Sequence, residues 1–292
     1  MAAWLGTLPV SAGDLIFAGY NLENYAPVFI PGEVDKAGKP KLKPGKTAEA
    51  AACVVQLIKE ISPDVLGVCE MGGGPQFEEF RKRLSDAGLG YTDFEYVDGP
   101  DPDRRLALAS RFPIVARQSL VDVSYESDGA WEKVRRGFLD VTIRVNGQLV
   151  RLVGAHLKSK LPGAGNEEAI RRNEAHLLRN HVSEILAADP GANLLVYGDF
   201  NDTKDQPCIQ EVAGRRGSPE ALSELALADS QGDRWTQYWN VEDVYSRIDY
   251  LFVNRALSPR VVSARCYVYR SPVWNEASDH RPVVATLHFP DQ

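Results

Sequence analysis

Short blocks of apolar residues recur along the chain, and most of them stop abruptly at a polar residue. Asp14 to Tyr20 (DLIFAGY), Val65 to Cys69 (VLGVC), Leu106 to Ser110, Val141 to Val145, Leu149 to Ala155, Leu194 to Tyr197, Arg247 to Val253 and Pro282 to Phe289 have strand length. Asn146-Gly147 between two of these runs signals a tight hairpin. Apolar residues three and four apart mark the helices. Thr47 caps one that runs to Ile61 on a stripe of Val54, Val55, Leu57, Ile58 and Ile61, and Ser62-Pro63 stops it. Pro75 opens a second with Phe77, Phe80 and Leu84 on one face. A long third helix spans about Asn166 to Ala188, and Ser218-Pro219-Glu220 is expected to open a fourth. Pro27 to Lys46, rich in Pro, Gly and Lys (KAGKPKLKPGK), is expected to hold no regular structure, as a surface loop or a basic flap over an anionic substrate. Strands and helices alternate with both hairpins and crossovers, which is the pattern of α/β or α+β folds with mixed sheets. Nothing divides the chain, so a single domain over residues 1–292, with its core in about 14–289, is expected.

The residues at the strand ends carry the chemistry. Asn21, Glu70, His156, Asp199 and Asn201 lie at or just past the C-terminal ends of four runs. Asp249, Asp279 and His280 lie at or before the start of two others, and would reach the same sheet edge if those strands run antiparallel. Gly198-Asp199-Phe200-Asn201-Asp202 stands out: an apolar strand breaks at glycine and is followed by carboxylate, amide and carboxylate oxygens. Taken alone that run is an equally good turn. Carboxylates crowded at one edge repel, and a divalent cation removes the conflict.

Composition narrows the picture. The 292 residues suffice for a sizeable core, and 44% hydrophobic with 25% charged content is ordinary for a globular chain. A net charge of −7 with a pI near 5.4 gives no global attraction for a long polyanion. Four cysteines without CxxC spacing read as free thiols and favour a reducing, cytoplasmic compartment. Met1 to Gly13 lacks the basic start of a secretory signal, although a signal removed ahead of this numbering would leave the same chain. No apolar run approaches the roughly 20 residues of a membrane span.

Asn21 in GYNLENY, Glu70 in VLGVCEM, His156 in GAHLKSK, Asp199 and Asn201 in YGDFND, Asp249 in SRIDYLFV and Asp279-His280 in SDHRPVV follow one another over nearly the whole chain. In that order they resemble the motif set of the endonuclease/exonuclease/phosphatase (DNase I-like) superfamily. The resemblance implies a four-layer α/β/β/α sandwich with the site at one edge of two packed sheets. It implies Mg²⁺ or Mn²⁺ held mainly by Glu70, with Asn21 and Asp279 close by. Asp199 would orient or deprotonate the attacking water, and Asn201 would hold the phosphate. His280, oriented by Asp249, would bond the phosphate or act as acid or base. His156 would stabilise the transition state or protonate the leaving oxygen. DNase-like members give that histidine a glutamate partner from an earlier strand, where this chain has Arg104-Arg105. Those arginines or Arg136 would grip the substrate phosphate or form structural salt bridges, and Lys158 is the second candidate for substrate binding.

The function implied is a metal-dependent phosphoester hydrolase, foremost a phosphodiesterase or nuclease acting on nucleic acid or a small phosphodiester. A phosphomonoesterase for sugar or lipid headgroups and a non-catalytic binding protein on the same fold are the alternatives, and a metal-free two-carboxylate glycosidase is a third. Outside the motifs, His176 and His181 lie five apart, off a common helix face, and read as surface or packing residues. Cys69 reads as core. Trp235, Tyr238, Trp239 and Tyr245 suit a stacking surface and a core cap equally well.

Overall fold

The structure is a computed structural model that describes residues 13–127, 129–161 and 166–290. Of the stretch Met1 to Gly13, all but Gly13 lies outside the described residues. The chain begins with β1 (Asp14–Asn21), a hairpin of β2 (Val28–Val34) and β3 (Pro40–Lys43), α1 (Ala48–Ile61), β4 (Val65–Cys69) and α2 (Gly74–Asp86). Then come β5 (Asp93–Val97), β6 (Leu106–Ser110), β7 (Ile114–Arg117) and a small hairpin, β8 (Ser124–Ser127) with β9 (Ala130–Lys133). The second half holds β10 (Phe138–Val145), β11 (Gln148–His156), α3 (Glu167–Ala188), β12 (Asn193–Asp199), α4 (Pro207–Ala213) and β13 (Ser223–Glu224). A third hairpin, β14 (Gln237–Trp239) with β15 (Val244–Ser246), precedes β16 (Asp249–Val253), β17 (Tyr267–Val268), α5 (Trp274–Ala277) and β18 (Val283–His288).

Two six-stranded mixed sheets form the centre, one in the order β17-β18-β1-β4-β6-β5 and the other β13-β16-β12-β11-β10-β7. Strand alternation decides how they pack. Leu15 and Phe17 of β1 and Leu195 and Tyr197 of β12 point between the sheets into one shared core. Ala18 and Tyr20 face outward onto Val54, Leu57 and Ile58 of α1 and Phe77 and Phe80 of α2. Leu194 and Val196 face outward onto Leu178, Val182 and Ile185 of α3. The result is the four-layer α/β/β/α sandwich. Tyr197 needs room in that middle layer, and a Cβ at Gly67 of the opposite sheet would lie 2.2 Å from its ring.

Local signals explain the helix ends. Thr47 Oγ1 accepts the Ala50 N–H at 3.2 Å, and Asn166 Oδ1 accepts that of Ala169 at 3.1 Å. Two expectations are corrected. The Pro27 to Lys46 segment is an exposed β-hairpin, because Asp35 closes its turn: its Oδ1 accepts from Ala37 and Lys39, and Gly38 N bonds Asp35 O. Ser218-Pro219-Glu220 opens no helix. The Arg179 guanidinium donates to Val212 O and Glu220 O, tying the segment down as turns, and the helix lies earlier, at Pro207–Ala213. The polar stretch around Trp131, between two of the apolar runs, is in part the β8–β9 hairpin.

Candidate active site

Register builds the site. His156 at the end of β11 pairs with Asp199 at the end of β12, and Asp199 pairs with Asp249 at the start of antiparallel β16. These three residues form one row across adjacent strands, so their side chains share a face. On the other sheet, Asn21 at the end of β1 pairs with Cys69, which puts Glu70 one residue past β4. Antiparallel β18 returns alongside β1 and brings Asp279 and His280 to the same edge.

Asp199 is the hub. Its Oδ2 accepts from Asn21 Nδ2 at 2.9 Å and lies 3.6 Å from His156 Nε2 and 3.8 Å from His280 Nε2. Its Oδ1 accepts from Asn201 N at 2.8 Å, while Asn201 Nδ2 donates to Leu157 O at 2.9 Å. Glu70 sits beside this hub, with Oε1 at 3.5 Å from Asn21 Nδ2 and 3.8 Å from His156 Nε2. Its Oε2 accepts the Asn24 N–H at 2.7 Å and faces Arg104 Nε at 3.7 Å. His280 Nδ1 lies 2.8 Å from Asp249 Oδ2, and its Nε2 lies 3.9 Å from Asp279 Oδ1. The structure therefore brings together Asn21, Glu70, His156, Asp199, Asn201, Asp249, Asp279 and His280.

The two substrate-binding candidates stand at the margin. Arg136 is buried, with Nε on Asp101 Oδ2 at 3.0 Å, and the Lys158 ammonium is 2.7 Å from Glu167. Arg105 pairs with Asp98 at 2.8 Å. Arg104, Arg105 and Arg136 are thus all engaged in ion pairs. His156 Nδ1 is buried with no hydrogen-bond partner among the described residues, in keeping with the missing glutamate.

Protonation follows from these surroundings. Burial pushes the Asp199 carboxyl up to about 7; Asp249 adds to the shift, against the opposing pull of His280 and of the Asn201 and Asn21 hydrogen bonds. Asp279, with a side chain 33% exposed, is raised to about 6 by burial and by Glu23 and Glu70, partly offset by His280. Burial disfavours a charged His280, but Asp249, Asp279 and Asp199 outweigh it and hold the imidazole well above its usual range. Burial, helped by Arg136, Arg104, His280 and Lys158, keeps His156 well below that range, so its ring is neutral. Burial also raises the Cys69 thiol well above its usual value, which makes it inert.

The family profile of the Endonuclease/Exonuclease/phosphatase family matches residues 20–280. The chain belongs to this family. Its members are phosphoester hydrolases, usually dependent on a divalent metal. No curated protein matches the chain. Among solved structures, the human nocturnin catalytic domain with bound sulfate is 18% identical at a TM-score of 0.64, covering 95% of each chain. A truncated TDP2 from Caenorhabditis elegans is 16% identical at 0.63, covering 95% of this chain and 98% of that one. Sphingomyelinase C from Streptomyces griseocarneus is 14% identical at 0.61, covering 94% and 99%. At these identities the likeness is one of fold. No helix among the described residues is long and apolar enough to cross a membrane.

A divalent metal suits the donors of this family member. Glu70, Asp279 and the Asn21 amide offer hard oxygens, and Asp279 Oδ1 is buried without a hydrogen-bond partner among the described residues. Asp199, Asp249 and His280 also bring ligand atoms within 4.8 Å of one another. There, however, Asp249 is committed to His280 Nδ1, and a protonated imidazole offers no lone pair, so that trio is better suited to a hydrogen-bonded relay.

Sequence reasoning missed the residues that fix this arrangement. Glu23 Oε2 accepts the Asp279 N–H at 3.2 Å. Buried Ser278 donates to Asn21 O at 2.8 Å and accepts from His280 N at 3.0 Å. Thr236 Oγ1 accepts the N–H groups of Ile248 and Asp249, both at 3.1 Å. Only Glu23 and Ser278 had a sequence signal, since both adjoin motif residues.

Proposed function

We propose that this chain is a Mg²⁺- or Mn²⁺-dependent phosphodiester hydrolase of nuclease or small-diester type. One observation carries the reading: Asp199 is flanked within 4 Å by an amide donor and two imidazoles in opposite protonation states, next to an oxygen-rich cluster. In this role Glu70 holds the metal with Asn21 and Asp279. When bound, the ion supplies charge neutralisation on the phosphate oxygens.

The side chains perform the rest. Asp199, with a pKa pushed up to about 7, orients the attacking water and accepts its proton near neutrality. His280, kept cationic by Asp249, donates from Nε2 to a phosphate oxygen as negative charge grows. Neutral His156 donates from its own Nε2 on the other side of Asp199, toward the leaving oxygen. Asn201 presents an amide anchored on Leu157 O to the phosphate. Arg136 and Lys158 act on His156 electrostatically and add positive potential where an anionic substrate enters.

The test is a substrate panel with and without EDTA: duplex DNA, single strands, RNA, an aryl phosphodiester, an aryl phosphomonoester and a phospholipid headgroup ester. Diester cleavage that EDTA abolishes and Mg²⁺ or Mn²⁺ restores is expected. In Asp199→Ala and His280→Ala, turnover should drop by about 10²-fold or more with the fold retained. Cleavage of the monoester alone, or near-wild-type rates in either variant, refutes the reading.

A further inference from the structure

His156 and His280 flank Asp199, but they are held in different ways. His280 has Asp249 against its Nδ1 at 2.8 Å. His156 Nδ1 is buried with no hydrogen-bond partner among the described residues, and its Nε2 lies 3.6 Å from Asp199 and 3.8 Å from Glu70, beyond hydrogen-bond length. No bonded side chain aims this ring, so its backbone has to.

β11 ends at His156, and the next two residues belong to no element. Even so, all four of their backbone polar groups are taken. Leu157 N donates to Asp199 O at 3.0 Å, and Leu157 O accepts from Asn201 Nδ2 at 2.9 Å. The other two groups go to α3. Lys158 N donates to Glu174 Oε2 at 2.7 Å, and Lys158 O accepts from Arg171 Nη1 at 3.2 Å. Arg171 and Glu174 lie three apart, so one face of the helix presents both. Arg171 Nε reaches on to Asp202 Oδ2 at 3.0 Å and ties in the turn after Asn201.

Stability alone does not explain this pair. Glu174 is fully buried, and its hydrogen bonds come only from the backbone N–H groups of Lys158 and Arg135 among the described residues. A buried acid bonded to no cation costs stability. Ala175, Leu178 and Val182 already fasten α3 to the sheet by apolar contact. We propose that Glu174 and Arg171 are positioning residues: from α3 they clamp the peptide after His156 and so aim an imidazole that has no partner of its own. The inference rests on the hydrolase reading above and deepens it.

The experiment measures kcat and KM for an aryl phosphodiester with Mg²⁺, together with histidine-ring NMR of the same chains. Glu174→Met keeps the length of the side chain and drops the acceptor; Arg171→Lys keeps the charge but cannot span two acceptors. Each should lower kcat about tenfold with KM within about twofold of wild type. Glu174→Gln, whose carbonyl still accepts the Lys158 N–H, should stay within about twofold of wild type. In a His156→Ala background both losses should shrink to less than about twofold, because the clamp acts through that ring. Arg171→Lys carries the test if Glu174→Met does not fold. Wild-type kcat in the folded variants, or equal losses in both backgrounds, marks a merely structural pair and overturns the proposal. The chain has five histidines, and His156→Ala assigns the one in question. Its ring signals should shift or broaden in Glu174→Met and Arg171→Lys and hold in Glu174→Gln; unmoved signals also overturn the proposal. This readout needs no turnover, so a wild type that cleaves no diester overturns the function proposed above while the ring signals still decide the clamp.

Discussion

Asp249 has its backbone N–H held by Thr236 and its carboxylate set against His280 Nδ1 at 2.8 Å. That contact is the first of the charges that keep His280 protonated despite its burial. A group whose folded pKa is raised is charged below that pKa and loses its charge as pH rises through it. If turnover needs the imidazolium, activity falls along a high-pH limb set by His280. Asp249→Asn removes the nearest negative charge, so this limb should move to lower pH, while His280→Ala should lower the rate at every pH. Profiles of kcat from roughly pH 5 to 9.5 check this, and an unmoved limb in Asp249→Asn would remove His280 from that role. The residues of this relay were legible in the sequence because each borders an apolar run, Asp199 at the end of one and Asp249 and His280 at the head of two others. The contacts that support them were not. Ser278 meets Asn21 across 257 positions and Glu23 meets Asp279 across 256, so only the folded chain brings them together. Nor did spacing foretell that Glu70, Asn201, Glu23 and Asn24 hold positive φ angles of 61°, 51°, 52° and 49°, a strain gathered at the site.

At the scale of the element, β12 places the hub, and Gly198 lets it do so. Its φ is +145°, and a Cβ there would lie 1.8 Å from Ala155 O, in the backbone of the paired strand. Backbone cannot rotate away as a side chain would. Gly198→Ala should therefore destabilise the fold by about 3 kcal/mol or more, read as a large drop in melting temperature. Retention of wild-type stability would show that the strands part there at little cost. The apolar strand and its glycine break were visible in the letters, as were the Thr47 cap and the Asn146-Gly147 turn, since each depends on near neighbours. The β2–β3 hairpin, β5, β7 to β9 and α4 were not. The hairpin hangs on one Asp35 turn in a lysine-rich stretch, and α4 gains its apolar face only by packing Cys208, Ile209 and Val212 into the layer under α3.

For the molecule as a whole, the site is a source of instability that a bound divalent ion would relieve. Asp199 and Asp279 titrate at about 7 and about 6 when folded, against roughly 3.9 for an unfolded aspartate. Between about pH 4 and 7 the folded chain therefore binds more protons than the unfolded one, and stability contributed by these groups falls as pH rises. Elsewhere the sign reverses. Burial alone would raise Asp140, but the hydrogen bonds from His181 and Arg151 hold it below the usual carboxylate range, so its contribution is present above about pH 4 and is lost only on further acidification. The stability contributed by Asp199 and Asp279 in the metal-free protein should thus be greatest on the acid side of neutrality. A divalent ion reverses the site's contribution by taking the place of the protons, which it must displace at pH 5 and finds already gone at pH 8. The rise in melting temperature at one fixed Mn²⁺ concentration should therefore grow steadily from about pH 5 to about pH 8. In Asp199→Asn/Asp279→Asn, where neither group titrates, the pH dependence should flatten. An equal shift at both ends of the range in the wild-type chain would mean that the ion binds away from these carboxylates.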